Sequence, residues 1–558
     1  MVSPPCPRAC ETLGLFPVLS LGCPLPVPSL SPERSGQRLW APPSPFAPPL
    51  PPFKMFPDCP QVSPSATMAP VLVALLALLA LALLVELSRH RAIAARLPPG
   101  PPALPLLGNL LQVSPFRTLQ SLLKLSDRYG PVFTVWLGPR PVLVLCGTRA
   151  VREALVGNPE VFAGRGQMPT LESTFRGYGV VFADGERWRQ LRRFSVMVLR
   201  DFGMGRQSIE SRIQEEAQEL LHEFQKAQGK PFDPTFLLSC AVSNIICSIV
   251  FGNRFQYQDP EFLELLHLMD ESFREMSTAW AQLYNMAEPL LKFMPGPHRR
   301  IPQLLGTMRS FIAQRVRDNA RTLDPHSPRD FIDAFLIQMN KEKDNPKSEF
   351  TMENLELTTL NLFFAGTETV SSTLRFGLLF LMRHPQVEEK IFEEISQVVG
   401  SGRAPALTDR SLMPFTNATI HEIQRCSDLI PMNVPHRVTR DTEFRGFCIP
   451  KGTDVYPLLS SVLNDPESFK NPQNFDPGNF LDEQGRFQHN EAFVPFSAGK
   501  RLCLGESLAR AELFLFLTSL LQRLRLRPPA SPEELPTAPL ESGFANIPPP
   551  FQLRLLPR

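Results

Sequence analysis

The sequence predicts a mainly α-helical protein with small β-sheets, tied to a membrane by one N-terminal transmembrane anchor. Three observations carry this. Ala69–Val85 runs 17 residues without a charge and is dominated by Leu, Ala and Val, which meets the lower length limit for a spanning helix. Further along, long segments place apolar residues at three- and four-residue steps, the helical period. Only a few short runs rich in Val, Leu and aromatic residues read as strands.

The elements follow in chain order. Residues 1–67 hold 18 of the 60 prolines and show no helical or strand period. Such a stretch cannot bury enough surface to offset its ordering entropy, so it is expected to be disordered. Met68 stands just before the apolar run and marks an alternative start. Residues 68–88 are the expected anchor. Arg89, His90, Arg91 and Arg96 follow it, and by the positive-inside rule the rest of the chain faces the cytosol. A cleaved signal peptide is the competing reading, because Ala92-Ile93-Ala94 resembles a cleavage site. The basic cluster lies between that site and the apolar run, and no basic segment precedes the run from Met68, so a retained anchor is favoured. Residues 89–102 form a basic, Pro-rich hinge that ends in Leu97-Pro98-Pro99-Gly100-Pro101-Pro102. Consecutive prolines favour extended backbone, so a stiff spacer is expected.

The body, 103–558, reads as one mixed domain dominated by helices. Val132–Leu137 and Pro141–Cys146 flank Gly138-Pro139-Arg140 and predict a hairpin. Ile209–Lys226 has an amphipathic helical period. Leu355–Met382 is long and apolar but carries Thr358, Thr359, Asn361, Thr367, Glu368 and Arg375. These are costly in lipid, which points to a buried central helix rather than a second span. A net charge of +2 excludes the strongly basic pattern of nucleic-acid proteins. The six cysteines of the body are scattered and form no CxxC pair, so neither zinc spacing nor a disulfide framework is expected.

Four motifs carry chemistry. Phe496-Ser497-Ala498-Gly499-Lys500-Arg501-Leu502-Cys503-Leu504-Gly505-Glu506 precedes a helical pattern. Cys503 therefore sits in a loop at a helix start, where backbone N–H groups and the helix dipole favour a thiolate. A lone cysteine there is more often an inert buried residue. Ala365-Gly366-Thr367-Glu368-Thr369 interrupts the long apolar helix. Ala365 and Thr369 share a face, and the Thr369 hydroxyl can bond the residue 365 carbonyl. A glycine costs a helix about 1 kcal/mol against alanine and signals a close approach. Glu422 and Arg425 stand three apart on one helix face, as do Trp188 and Arg192 at four apart. Alone, the first pair is an ordinary salt bridge and the second a feature of an amphipathic helix.

Taken together, Phe496, Gly499, Arg501, Cys503 and Gly505 resemble the haem-binding signature FxxGxRxCxG of cytochromes P450. Five fixed positions rarely coincide by chance. The resemblance extends from Met68 to Arg558 and leaves 1–67 outside. It implies the cytochrome P450 fold and haem (iron protoporphyrin IX) as cofactor, with Cys503 as the proximal iron ligand. Arg501 is then a propionate partner and Phe496 the ring beside the ligand sulfur. Ala365 to Thr369 is similar to the family's oxygen-activating helix, with Val370 where family-two members often carry Thr. Thr369 and Glu368 become the catalytic alcohol and acid that deliver protons. Glu422 and Arg425 become a buried structural pair that also engages a downstream loop arginine. Trp188, Arg192, Arg176 and His436 match propionate-binding positions.

The hinge, Phe202-Gly203-Met204-Gly205, Asp409-Arg410 and Phe475-Asp476-Pro477 look like vertebrate microsomal family-two members, of F-type. The implied activity is monooxygenation of a small lipophilic substrate such as a xenobiotic, a steroid or a fatty acid, using O2. Electrons come from NADPH through NADPH–cytochrome P450 reductase, with cytochrome b5 a further candidate partner. The implied location is the endoplasmic reticulum membrane. Redox partners are expected at Arg187, Arg189, Arg193 and Lys500. No GxGxxG follows a strand, so nicotinamide binding by this chain is not expected. Phe363, Phe364, Ile430, Val434 and Phe544 are the pocket candidates. A non-catalytic haem or lipid-binding protein on the same fold is the main alternative, and a reductase-independent peroxide-rearranging enzyme a second. The intact Glu368–Thr369 pair disfavours both.

Overall fold

The computed structural model describes residues 65–205 and 207–558. Most of the proline-rich extension therefore lies outside the described residues. The helix α1 spans Ser65–Ala94. Its segment Val71–Ala94 is long and apolar enough to cross a membrane, and none of it is buried within the protein.

Seven further helices position the site: α2 (Gly185–Asp201), α3 (Gln207–Gln225), α4 (Thr235–Val250), α5 (Pro260–Ser277), α6 (Met352–Arg383), α7 (Pro414–Ser427) and α8 (Glu506–Arg523). Their starts are set locally. Asp184 accepts from the Gly185 N–H before α2. Asp259 accepts from the Glu261 and Phe262 N–H groups before α5, with Pro260 in the first turn. Thr351 accepts from the Asn354 N–H before α6. Each cap satisfies orphan donors of a first turn.

The 32-residue α6 is buried almost throughout and packs on α4, α5, α7 and α8. This confirms a core helix, not a span. A methyl at Gly366 would lie 3.0 Å from Ile246 Cγ1 on α4. The close approach that the glycine signals is thus to a neighbouring helix.

Among the described residues the strands form one five-stranded sheet and two two-stranded sheets. In the large sheet the order is β1 (Val132–Leu137), β2 (Arg140–Leu145), β7 (Asp454–Pro457), β4 (His436–Arg437) and β3 (Gly164–Arg165). The predicted hairpin is present, with Val132 opposite Leu145 and Leu137 opposite Arg140. β5 (Thr442–Phe444) pairs with β6 (Phe447–Ile449), and β8 (Leu524–Arg527) with β9 (Arg554–Pro557).

The hinge differs from a free spacer. Leu97 is buried, the Thr134 N–H donates to the Pro99 carbonyl at 3.1 Å, and Arg96 reaches Asp441 at 3.3 Å. The proline stretch is docked along β1, because its carbonyls remain free to accept where its nitrogens cannot donate.

Candidate active site

Cys503 sits between a short turn, Gly499–Arg501, and the start of α8. The Cys503 N–H donates to the Phe496 carbonyl at 3.0 Å, which closes the loop. Gly499 has φ +72°, and any Cβ there would lie 1.9 Å from the Leu155 carbonyl oxygen. Only glycine fits, both for the left-handed backbone and for the packing. The Cys503 side chain is surrounded by protein yet open to an internal cavity. Burial pushes its thiol up, while the Gly505 and Glu506 N–H groups and Arg192 oppose that shift. The N–H groups of the helix start do favour the thiolate, and desolvation outweighs them.

The same cavity is lined by α6. Ala365 is exposed although its helix is buried, because it faces this space, and Thr369 lines it too. The Thr369 hydroxyl donates to the Ala365 carbonyl at 2.7 Å, as the i, i+4 spacing predicts. Glu368 points elsewhere. It is 2% exposed and does not line the cavity. One turn step of 100° carries it to the face of α6 turned towards Asp270 and Arg375. Burial, and secondarily Asp270, push its carboxyl up to about 8, against Arg375.

Arginines gather at the cavity. Arg501 donates from Nε to the Ala163 carbonyl at 2.7 Å and from Nη2 to the Ala183 carbonyl at 2.9 Å. It stacks over Trp188 at 4.0 Å. Arg192 donates to the Leu502 carbonyl at 2.5 Å. Arg165, Arg192 and Arg501 all line the cavity. Burial, then Arg165, pushes Arg501 down to about 8, and burial pushes Arg165 down to about 10. Asp184 is the one carboxylate felt at Arg501 and Arg165. The Arg501 Nη1 and the His436 Nε2 are buried with no partner among the described residues. Buried cations in surplus over acids require an anion. A flat macrocycle with two carboxylates, seated between Ala365 and Cys503, supplies both the shape and the charge, so the residues present fit haem.

Several expectations change. Arg176 lies outside the cavity, 62% exposed and paired with Glu353 at 3.1 Å, because it caps a short helix with φ +47° and the turn sends it outward. Arg165, which no motif marked, lines the cavity instead. Phe364, Ile430, Val434 and Phe544 line it, whereas Phe363 does not and packs on Phe251 at 5.4 Å. His436 is not among the lining residues; its Nδ1 donates to the Phe162 carbonyl at 2.7 Å. Glu422 and Arg425 are both fully buried and paired at 2.7 Å. Their further partners are backbone groups and the Asn479 side chain, not a loop arginine: Arg425 donates to the Leu463, Pro472 and Asn474 carbonyls, and Glu422 accepts from the Asp476 N–H and from Asn479 Nδ2.

Fold, cysteine loop and arginine-rimmed cavity together define a haem-thiolate enzyme. The family model for cytochrome P450 matches residues 98–555, and the chain belongs to that family. It is a haem monooxygenase of the vertebrate family-two type. It is similar to cytochrome P450 2G1 of Oryctolagus cuniculus, at 60% identity over 83% of this chain and 94% of that one. Cytochrome P450 2A5 of Mus musculus matches at 54% identity over 85% of this chain and 96% of the relative. Cytochrome P450 2B4 of Oryctolagus cuniculus does so at 54%, over 85% and 97%. These relatives carry 2G, 2A and 2B names rather than the expected F-type one.

Proposed function

We propose that this chain hydroxylates small lipophilic substrates at the endoplasmic reticulum membrane, with its body in the cytosol. In this reading Cys503 is the iron ligand. The observation that carries it is the Cys503 side chain opening, from within the protein, onto the cavity that Ala365, Thr369 and the arginines also line. Bound there, the haem supplies activation of O2 and insertion of one of its oxygen atoms.

The chain's residues do the rest. Arg192 and Arg501 bind the carboxylates, and Trp188 braces Arg501 from below its guanidinium plane. The Thr369 hydroxyl gives its own proton to the Ala365 carbonyl and so turns its oxygen to accept a hydrogen bond in the cavity, and Glu368 holds a carboxyl proton one residue away. Phe364, Phe544 and Phe273, with ring centroids of Phe273 at 6.0 and 6.2 Å from the other two, form an apolar wall that excludes water. Such a wall selects lipophilic ligands.

Electrons are proposed to come from NADPH–cytochrome P450 reductase, with cytochrome b5 as an alternative donor. A surface hollow lined by Arg189, Arg192, Arg193, Arg200 and Lys500, with Glu160 and Asp201 also in its wall and Lys500 paired to Glu160 at 2.9 Å, offers these partners a face that is basic in balance beside Trp188. Arg187 contributes little, since it is turned inward onto Glu349 at 2.7 Å.

The test is the carbon-monoxide difference spectrum of the reduced protein. Cys503→Ala is expected to lose the thiolate-type Soret band. A normal band in that variant overturns the assignment.

A further inference from the structure

Phe496 is joined to the cysteine loop twice. Its carbonyl accepts the Cys503 N–H at 3.0 Å, and it lines the cavity onto which Cys503 opens. What holds its ring in place comes from α8. The Arg510 Cζ lies 5.1 Å from the Phe496 ring centroid and 5.5 Å from that of Phe493. Both distances are within the roughly 6 Å over which a guanidinium is attracted to an aromatic face.

Arg510 is itself fixed from two sides. Its Nε donates to Glu506 Oε1 at 2.9 Å, one turn back on α8. Its Nη1 donates to His421 Nε2 on α7 at 3.0 Å. The partners of His421 decide its protonation. Its Nδ1 stands 2.7 Å from the Asn417 carbonyl, which can only accept, and a guanidinium can only donate. His421 is therefore neutral, with its proton on Nδ1 and the Nε2 lone pair turned to Arg510. Burial pushes the imidazole down to about 3, with Arg510 and Arg410 adding to the shift and the Asn417 bond opposing it, so the acceptor persists through the neutral range. The ring is 3% exposed and wedged among Phe480, Phe487 and Phe493, whose centroids lie 5.4, 4.6 and 4.7 Å away.

An i, i+4 ion pair on a partly exposed helix face contributes little by itself, and Glu506 and Arg510 are such a pair. A buried imidazole acceptor from a second helix and two rings of the segment before Cys503 are more than that pair requires. We propose that Arg510 is a positioning residue for the Phe496 ring and that His421 positions Arg510, so that α7 fixes the wall of the cysteine loop and with it the electron density at the ligand sulfur. The inference rests on the reading of Cys503 as iron ligand given above. The potential of a haem depends on hydrogen bonding near its ligand and on solvent access. A ring held in place keeps water from the sulfur. A loosened ring admits water, the sulfur donates less, and the iron is easier to reduce. Loss of a nearby positive charge acts with the opposite sign, because a cation favours the reduced state. A merely structural tie between α7 and α8 moves the potential in neither direction.

The experiment uses the full haem-loaded protein. Its reduction potential is measured by spectroelectrochemistry, and the carbon-monoxide difference spectrum is taken alongside to confirm thiolate ligation. Arg510→Gln is expected to raise the ratio of ferrous to ferric protein at a fixed potential roughly tenfold, which is about 59 mV for one electron. Arg510→Lys keeps the charge without the planar fork and is expected to shift in the same direction. His421→Phe keeps an aromatic ring in the cluster, removes the acceptor, and is expected to shift the same way by a smaller factor, since Arg510 retains Glu506. A potential unmoved or lowered in Arg510→Gln, with the thiolate band intact, overturns the proposal. A wild-type potential in Arg510→Lys also overturns it, since charge alone then accounts for any change in Arg510→Gln. If Arg510→Gln does not retain haem, Arg510→Lys and His421→Phe decide, and a wild-type potential in either overturns the proposal. A normal thiolate band in Cys503→Ala overturns the ligand reading itself, whatever the potentials do.

Discussion

Two buried arginines in this molecule have opposite fates. Arg425 is 0% exposed and spends its donors on Glu422 and three backbone carbonyls. Arg501 is nearly as buried, at 6%, but its Nη1 has no partner among the described residues and its nearest ion pair, Asp184, lies at 3.3 Å and half in solvent. Arg165 and Arg192 stand close enough to depress it further. The first arginine is satisfied by its own chain and belongs to the architecture. The second is satisfied only when something anionic arrives, and so belongs to a binding site. Burial alone does not separate the two, whereas a count of unmet donors does.

That contrast can be broken in three places. Arg425→Ala is expected to do the most damage. It strands the Glu422 carboxylate in the interior, and breaking such a pair costs about 3–5 kcal/mol. A thermal unfolding midpoint near that of the wild type would place Arg425 outside the architecture. Arg501→Gln should leave the apo fold intact while weakening haem retention. Loss of a hydrogen bond to a charged group is worth about 1.5–3 kcal/mol, or roughly ten- to a hundredfold in affinity. Haem transfer to a scavenging apoprotein reads this out, and an unchanged transfer rate removes the distinction. Arg176→Ala is expected to change neither quantity by more than about 0.5 kcal/mol, because its ion pair with Glu353 is an exposed one. A marked loss of haem in that variant would bring Arg176 back to the site where the family resemblance put it.

The parts legible in the sequence are those fixed by local spacing. The hairpin, the length of α6, the Thr369–Ala365 bond and the cysteine loop each depend on residues within a few positions of one another. Arg165 was illegible because its place depends on a two-residue strand. β3 meets β4 more than 250 residues away, and Arg165 donates to the Val434 and Pro435 carbonyls there. Phe363 and Phe364 differ only in helical phase, which composition does not settle. Glu368 was placed beside Thr369 in sequence, and so it is, yet neighbours on a helix point 100° apart. Asn417-Ala418-Thr419 reads as a glycan acceptor, but Asn417 is buried in α7 and its Oδ1 accepts from Arg410. The folded protein thus has no room for a glycan at Asn417.

The docked hinge bears on how the protein is to be shortened. A soluble form made by removing the apolar helix has a natural cut just before Leu97. Cutting there keeps the buried leucine and the Pro99–Thr134 bond. A cut only a few residues later, after Pro102, removes the Pro99 acceptor and leaves the Thr134 N–H of β1 open to pairing with other molecules, while Gly108 and Asn109 still cover Trp136 and Leu137. Six residues that look, in the sequence, like a dispensable tether thus belong to the folded body.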